Sequence, residues 1–342
     1  MRRLRNVPLP FLALFALINF GSCSVTQPTG EVSYYSGTLW IEKGKHLSPR
    51  EREVEARFAQ YLENNTDEAI ALYQTRFGKE INADNARELS KDYAPGGIEA
   101  TDPRTKAARA LWSNAVHEPA SALVKEIYRR KLREGAGPDQ LDWVIFTAGG
   151  TAAGKTTAIK AVPAIAGIMQ AAQIIYDSTL SSLPSSSIRI RQALEAGKKV
   201  SIIYVHRDPV EAFVNGSLSQ PDRMGRTIPL EVFLGTHIGA PKVVLHLAEQ
   251  YKGDPRVAIG VIDNSRGRGK AVVADLEFLR RVADKYSAAA LRAKLNQALE
   301  EAYEQGKRGE EGGISETVYR AFKGTATESA HGSSGSRNGQ SP

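Results

Sequence analysis

"VIFTAGGTAAGKTTAIK", residues 144–160, decides the fold. Trp143 to Thr147 reads as a buried strand, and two glycines follow almost at once. Gly149-x4-Gly154-Lys155-Thr156 fits the phosphate-loop pattern in full. A triphosphate carries several negative charges that must leave water. Successive backbone N–H groups and a helix N-terminus make a concave site for such an anion. Bulky side chains would block close approach, and Gly149, Gly150, Thr151, Ala152, Ala153 and Gly154 are all small. Lys155 brings a cation to the β- and γ-phosphates. The Thr156 hydroxyl is the expected ligand of Mg2+, and Thr157 completes the nucleotide-contacting run. Strand, loop and a helix from about Lys155 predict binding of a nucleoside triphosphate with magnesium.

Outward from this loop the hydrophobic period alternates between strand and helix. Short apolar strands are expected at 173–177, 199–208 and 256–264. Helices are expected at "SIRIRQALEAG", near 209–216, from Pro229 to about Tyr251, and over 270–305. That alternation predicts a parallel sheet covered on both faces. Upstream, Ser48-Pro49-Arg50-Glu51 is a capping box with proline at the first helical position. Residues 48–135 read as helical, with no strand of note. The fold class is therefore α/β, a P-loop NTPase-type doubly wound parallel sheet preceded by a helical N-terminal region. The expected divisions are 1–23 signal, 24–47 linker, 48–137 helical region, 138–323 nucleotide-binding domain and 324–342 disordered tail.

A phosphate loop alone does not separate kinases from ATPases and GTPases. No Asn-Lys-x-Asp run reads a guanine, and no strand carries a strong Walker B acid pair. Asp177 ends the second strand, where doubly wound sheets line their ligand crevice. A carboxylate there can take a proton from an acceptor hydroxyl as its oxygen attacks. The alternative reading of Asp177 is a cap of the following turn. Extra positive charge for the transferring group could come from Arg207, Arg223 or Arg226. The last two lie in a Gly/Pro-rich segment suited to a lid. His237 and Thr236 read as crevice residues or as hydrogen-bonded helix residues. Asp263-Asn264 reads as a contact to adenine or as a turn cap. The "HRD" at 206–208 lacks the partners of a protein-kinase catalytic loop and reads as chance.

Taken together, GGTAAGKTT, IIYDS, YVHRDP, MGRTIPLEVFLGTH and VIDNS resemble the zeta-toxin family of P-loop kinases, over roughly 80–265. The resemblance implies ATP-dependent phosphorylation of a sugar hydroxyl on a UDP-N-acetyl amino sugar. It implies Lys155 as the phosphate-binding lysine, Asp177 as general base, and Arg226 with a second arginine as the ATP clamp. It also implies an antitoxin-like protein inhibitor as partner. Here Asp177 is followed by Ser178-Thr179-Leu180 rather than by a further acid, which leaves the acceptor open. "INADNAREL" is similar to a substrate-facing segment of such proteins, or is a plain capped helix. An antibiotic-type small-molecule phosphotransferase and a nucleotide-binding interaction protein without turnover are the alternatives.

The 342 residues carry a net charge of +7, part of it in Arg2, Arg3 and Arg5. No basic stripe interleaves with aromatics, so nucleic acid is not an expected partner. The single cysteine, Cys23, excludes an intramolecular disulfide and a cysteine-based zinc site. A basic start, the apolar run VPLPFLALFALINF and small residues after it read as an export signal. Phe20-Gly21-Ser22-Cys23 resembles a lipobox, so a lipid anchor at Cys23 and a membrane-associated protein are expected. The protein is cytoplasmic if that signal is unused, which is also where ATP is found.

Overall fold

A computed structural model describes residues 39–267 and 269–324 of the chain. The signal and lipobox reading at 1–23, most of the 24–47 linker and the tail from 325 lie outside the described residues.

The fold is α/β, built on a six-stranded, mostly parallel sheet. Its strands are β1 (Glu80–Ile81), β2 (Leu141–Ala148), β3 (Ala172–Asp177), β4 (Lys199–His206), β5 (Val257–Asp263) and β6 (Val272–Ala274). The spatial order is β1-β3-β2-β4-β5-β6, parallel except for β6. The chain leaves β2 for β3 on one side and then returns to β4 on the other. Strand order thus reverses at the carboxyl end of β2, the place where open α/β sheets leave a crevice.

Both faces of the sheet are covered, which is why its strands are continuous apolar runs. Val144 and Phe146 of β2 point into one core, and Ile145 points into another. The second core is closed by α6 (Lys155–Lys160) and α7 (Pro163–Ala171), through Ile159 and Ile165. The first is closed largely by the N-terminal helices α1 (Pro49–Asn64), α2 (Thr66–Phe77) and α5 (His117–Arg133). Tyr128 of α5 packs edge-on against Phe146 and Tyr176, at 6.1 and 5.0 Å between ring centroids. Its hydroxyl donates to the Arg189 carbonyl at 2.8 Å. Removing a buried aromatic of this kind typically costs about 3–5 kcal/mol. Segment 48–137 therefore shares its core with the sheet.

The structure corrects several details. Region 48–135 does hold a strand: β1 pairs with β3, with Glu80 opposite Ile175 and Ile81 opposite Tyr176. Two residues cannot show an alternating pattern, so the pairing is dictated by the open edge of β3. Between β1 and α5 lie α3 (Ala83–Arg87) and α4 (Pro103–Trp112). The helix expected from Lys155 is two helices, because Pro163 restarts the chain at an N1 position. Within 270–305, β6 runs antiparallel to β5 before α12 (Leu276–Lys285) and α13 (Ala288–Lys307) begin. The helix near 209–216 is α9 (Pro209–Ala212) widening into a π-turn at Phe213–Ser217, followed by α10 (Gln220–Met224). Helix α8 (Leu183–Glu195) and helix α11 (Leu230–Gln250) match their expected positions, and α14 (Glu316–Lys323) ends the described chain.

Candidate active site

The loop after β2 is shaped by contacts on its rear side. Gly149 has φ +133°, and a Cβ there would stand 2.4 Å from the Val205 carbonyl oxygen. Only glycine lets β2 turn so close to β4. A Cβ on Gly150 would stand 2.3 Å from the His237 ring. Ala152 adopts φ +58°, a left-handed conformation that costs a side-chain-bearing residue roughly 1–2 kcal/mol. Its methyl fills the space beside Gly216 in the π-turn.

Three successive carbonyls of this loop are held by side chains of other elements. His237 Nε2 donates to Thr151 O at 2.8 Å, and Asn264 Nδ2 donates to Ala153 O at 2.9 Å. Between them, Arg207 Nη1 reaches Ala152 O at 3.5 Å. Thr236 completes the brace: its hydroxyl accepts from Thr151 N at 3.1 Å and donates to Phe233 O at 2.8 Å. A trans peptide points its C=O and the next N–H in opposite directions. With the Thr151 and Ala153 carbonyls drawn back, the amides of Ala152 and Gly154 face the other way. The first intrahelical bond of α6 runs from Ala158 N to Gly154 O, at 2.9 Å. The amides of Lys155, Thr156 and Thr157 precede it and have no acceptor inside the helix. Thr156 and Thr157 are exposed.

His237 is buried, and burial pushes its imidazole down to about 4. It is neutral near pH 7, with the proton on Nε2, because a carbonyl can only accept. His237 and Thr236 are thus hydrogen-bonded helix residues placed directly behind the loop. Asn264 braces the loop, while Asp263 caps its own turn through Ser265 N at 2.9 Å. The sequence held no sign of these braces beyond polar side chains ending β5 and lying inside an apolar helix.

Asp177 stands at the end of β3, opposite Thr147 of β2 in the parallel register. Thr147 donates its hydroxyl to Asp177 Oδ1, and Asn82 Nδ2 donates to Oδ2 at 2.7 Å. Lys155 Nζ lies 3.6 Å from Oδ1. The Asp177 oxygens meet these groups rather than the amides of the following turn. Lys155 and Asp177 are 18% and 21% exposed, so both remain reachable from solvent.

Arg207 and Arg226 stand apart in role. Arg207 lies against the loop and pairs with Glu211 at 3.0 Å. Arg226 faces α3: Nη2 donates to Glu88 at 3.1 Å, and Nη1 lies 3.7 Å from Asp84. Burial raises the Asp84 carboxyl, but Arg87, Arg226 and Lys155 outweigh it and hold the group below the usual carboxylate range. Glu88 is fully buried and also takes both Nε and Nη2 of buried Arg109, at 3.0 and 2.5 Å. Arg109 further donates to Met224 O at 3.3 Å. A Cβ on Gly225 would strike the Lys106 carbonyl at 2.1 Å. The expected lid segment is therefore pinned at 224–226 by α3 and α4. The side chain of Arg223 lies outside the description.

Two of the "HRD" residues, Asp208 and His206, are structural. Asp208 caps α9 through Val210 N and Glu211 N, and accepts from the Tyr286 hydroxyl at 2.5 Å. His206 is buried against Phe278, with centroids 5.6 Å apart, and burial lowers it to about 4. No cluster of three or more His, Cys, Asp or Glu suited to a metal occurs among the described residues. No helix among them is long and apolar enough to cross a membrane.

No protein-family model matches the chain, and no curated protein does. Among solved structures, the chain is similar to crystal structures of AvrRxo1-ORF1 with AvrRxo1-ORF2. The one with ATP is 15% identical, with a TM-score of 0.39, over 68% of this chain and 97% of that chain. The one with sulphate ions is 14% identical, with a TM-score of 0.38, over the same shares. Likeness at that level carries no functional inference.

Proposed function

We propose that this protein is a kinase on a P-loop NTPase scaffold, transferring the γ-phosphate of ATP to a hydroxyl of a small metabolite. The observation that carries the reading is the 3.6 Å approach of Asp177 to Lys155 beside a braced glycine loop. The Ala152 and Gly154 amides, with those that open α6, receive the phosphates. Lys155 supplies positive charge where negative charge is crowded, and Arg207 adds to it from the loop's flank. The acceptor hydroxyl gives its proton to a carboxylate oxygen of Asp177. Its oxygen forms the new bond to the γ-phosphorus, and the bond from that phosphorus to the β-γ bridging oxygen breaks as ADP leaves.

Magnesium fits this site only in the manner usual for it, through one protein oxygen and substrate phosphates. Thr156, exposed at the start of α6, is the residue that would hold it, and the ion would neutralise phosphate charge. The acceptor we favour is a UDP-N-acetyl amino sugar, which rests on the sequence resemblance, as does an antitoxin-like inhibitor. Asp177→Ala should abolish transfer of labelled phosphate to a panel of nucleotide sugars and leave Mg-ATP binding intact. Binding without transfer by the parent chain would point instead to a nucleotide-dependent interaction protein.

Membrane attachment through a lipidated Cys23 is a separate proposal, supported by the sequence of residues 1–23 alone. Mass spectrometry of the mature N-terminus tests it; an intact Met1 would overturn it.

A further inference from the structure

We propose that Asn82 is the positioning residue for Asp177, through the side-chain hydrogen bond that joins the start of α3 to the end of β3. The inference rests on the reading of Asp177 as the base.

Asn82 is fixed at three points. Its backbone N–H donates to the Tyr73 hydroxyl at 2.8 Å, and that fully buried hydroxyl donates to Glu80 O at 3.0 Å. Its side-chain oxygen accepts from Asp84 N at 2.8 Å and so caps α3. Its side-chain nitrogen donates to Asp177 Oδ2 at 2.7 Å. The amide orientation follows from the chemistry of its neighbours. Turned over, the NH2 group would face the Asp84 N–H, and the carbonyl would face a carboxylate. Aspartate in this place could cap the helix but has no donor for Asp177, and a serine hydroxyl at the cap stops one bond short of where the Asn82 nitrogen meets that carboxylate. Alanine could do neither.

The geometry gives the bond a purpose. Thr147 holds Oδ1 from β2, and Asn82 holds Oδ2 from the opposite side. The carboxylate plane is thereby set, while each oxygen keeps a lone pair for another partner. The same short helix carries Asp84, and Glu88 follows it; both pair with Arg226. Asn82 thus ties the base to the element that orients Arg226.

The test uses the full-length chain with Mg-ATP and the nucleotide-sugar panel, comparing Asn82→Ser and Asn82→Asp with the parent. Both variants keep a good cap, so any drop in unfolding midpoint should be confined to the lost bond to Asp177 and leave both chains folded at assay temperature. With the base left to swing, kcat for Asn82→Ser should fall roughly ten- to a hundredfold. KM for ATP should stay near the parent value, because the loop is untouched. Loss of a donor to the charged carboxylate should move the acidic limb of kcat to higher pH, and further in Asn82→Asp, where two carboxylates meet. An unchanged kcat and pH profile in both variants, with a parent that turns over, reduces Asn82 to a helix cap and overturns the proposal. A fall in kcat matched by lost folded protein does the same. A parent chain that binds Mg-ATP but phosphorylates nothing defeats the base reading first, and this assignment falls with it.

Discussion

Thr147 and Asp177 face one another across adjacent parallel strands, and the buried threonine hydroxyl donates to the carboxylate at the carboxyl end of β3. The contact is a direct product of sheet register. Thr147→Val keeps the shape and removes the donor. A hydrogen bond to a charged group is worth about 1.5–3 kcal/mol, and its loss should appear both in denaturant midpoint and in turnover. We expect kcat to fall about tenfold if roughly 1.4 kcal/mol of that is felt in the transition state. Mg-ATP affinity should hold. Thr147→Ser should recover most of the loss, and equal damage from both substitutions would count against the hydroxyl.

Gly149→Ala should be far more severe. The added methyl meets a backbone carbonyl at 2.4 Å, and the φ of +133° is one that alanine avoids. Neither β2 nor β4 can yield without disturbing the sheet. We expect a loss of at least about 2 kcal/mol of stability together with Mg-ATP binding, read by calorimetry and nucleotide titration. Gly150→Ala meets a side chain instead, the His237 ring, so it should lose nucleotide affinity at a smaller cost in stability. A Gly149→Ala chain that binds Mg-ATP normally would contradict the described loop.

These two sites show what the residues announced and what they hid. The glycine loop, the flanking strands and Asp177 were legible because each needs a particular residue type at a fixed spacing from its neighbour. The braces were not. His237 sits in an apolar helix some 85 residues on, and nothing local distinguishes a histidine that holds a loop from one that fills a core. Asn82 reads as a helix cap, and it is one; its second bond reaches the end of the neighbouring strand. Strand β1 was hidden for the same reason, since a two-residue edge is made by its partner. For Arg226 the Gly-Arg pattern names no partner, and its acidic contacts, Asp84 and Glu88, come from a region where only helical periodicity can be read.

Acid should weaken the fold before carboxylates protonate. His206 and His237 are buried, and burial lowers both to about 4. In the unfolded chain they bind protons near pH 6.5. Between those values the unfolded state holds more protons than the folded one, so stability falls as pH falls. The contribution is complete above about pH 6.5 and gone below about pH 4. Each histidine adds a slope of up to about 1.4 kcal/mol per pH unit inside that window. Denaturant titrations across it should show His237→Gln with a slope shallower by about one proton's worth. An unchanged slope would mean that His237 is already charged in the fold, which its bond to a carbonyl does not require but its burial opposes.

Glu88 is the strongest test of how the site is joined to the helical region. It neutralises Arg109, which has no exposed surface, and reaches Arg226 with the same carboxylate. Glu88→Ala leaves a guanidinium buried without its partner, and breaking a buried pair from one side costs about 3–5 kcal/mol. That is a large share of the roughly 5–15 kcal/mol that holds a typical domain together. Arg226→Met removes only the partly exposed arm, while Glu88 keeps both bonds to Arg109, so about 1 kcal/mol is expected. The two substitutions should also differ in function. Arg226→Met should impair transfer in a chain that remains folded, whereas Glu88→Ala should lose activity in step with folded protein. If Glu88→Ala instead keeps its unfolding midpoint, the Arg109 pair is not the anchor of α3 and α4. Arg226 would then have to be held in place by Asp84 alone.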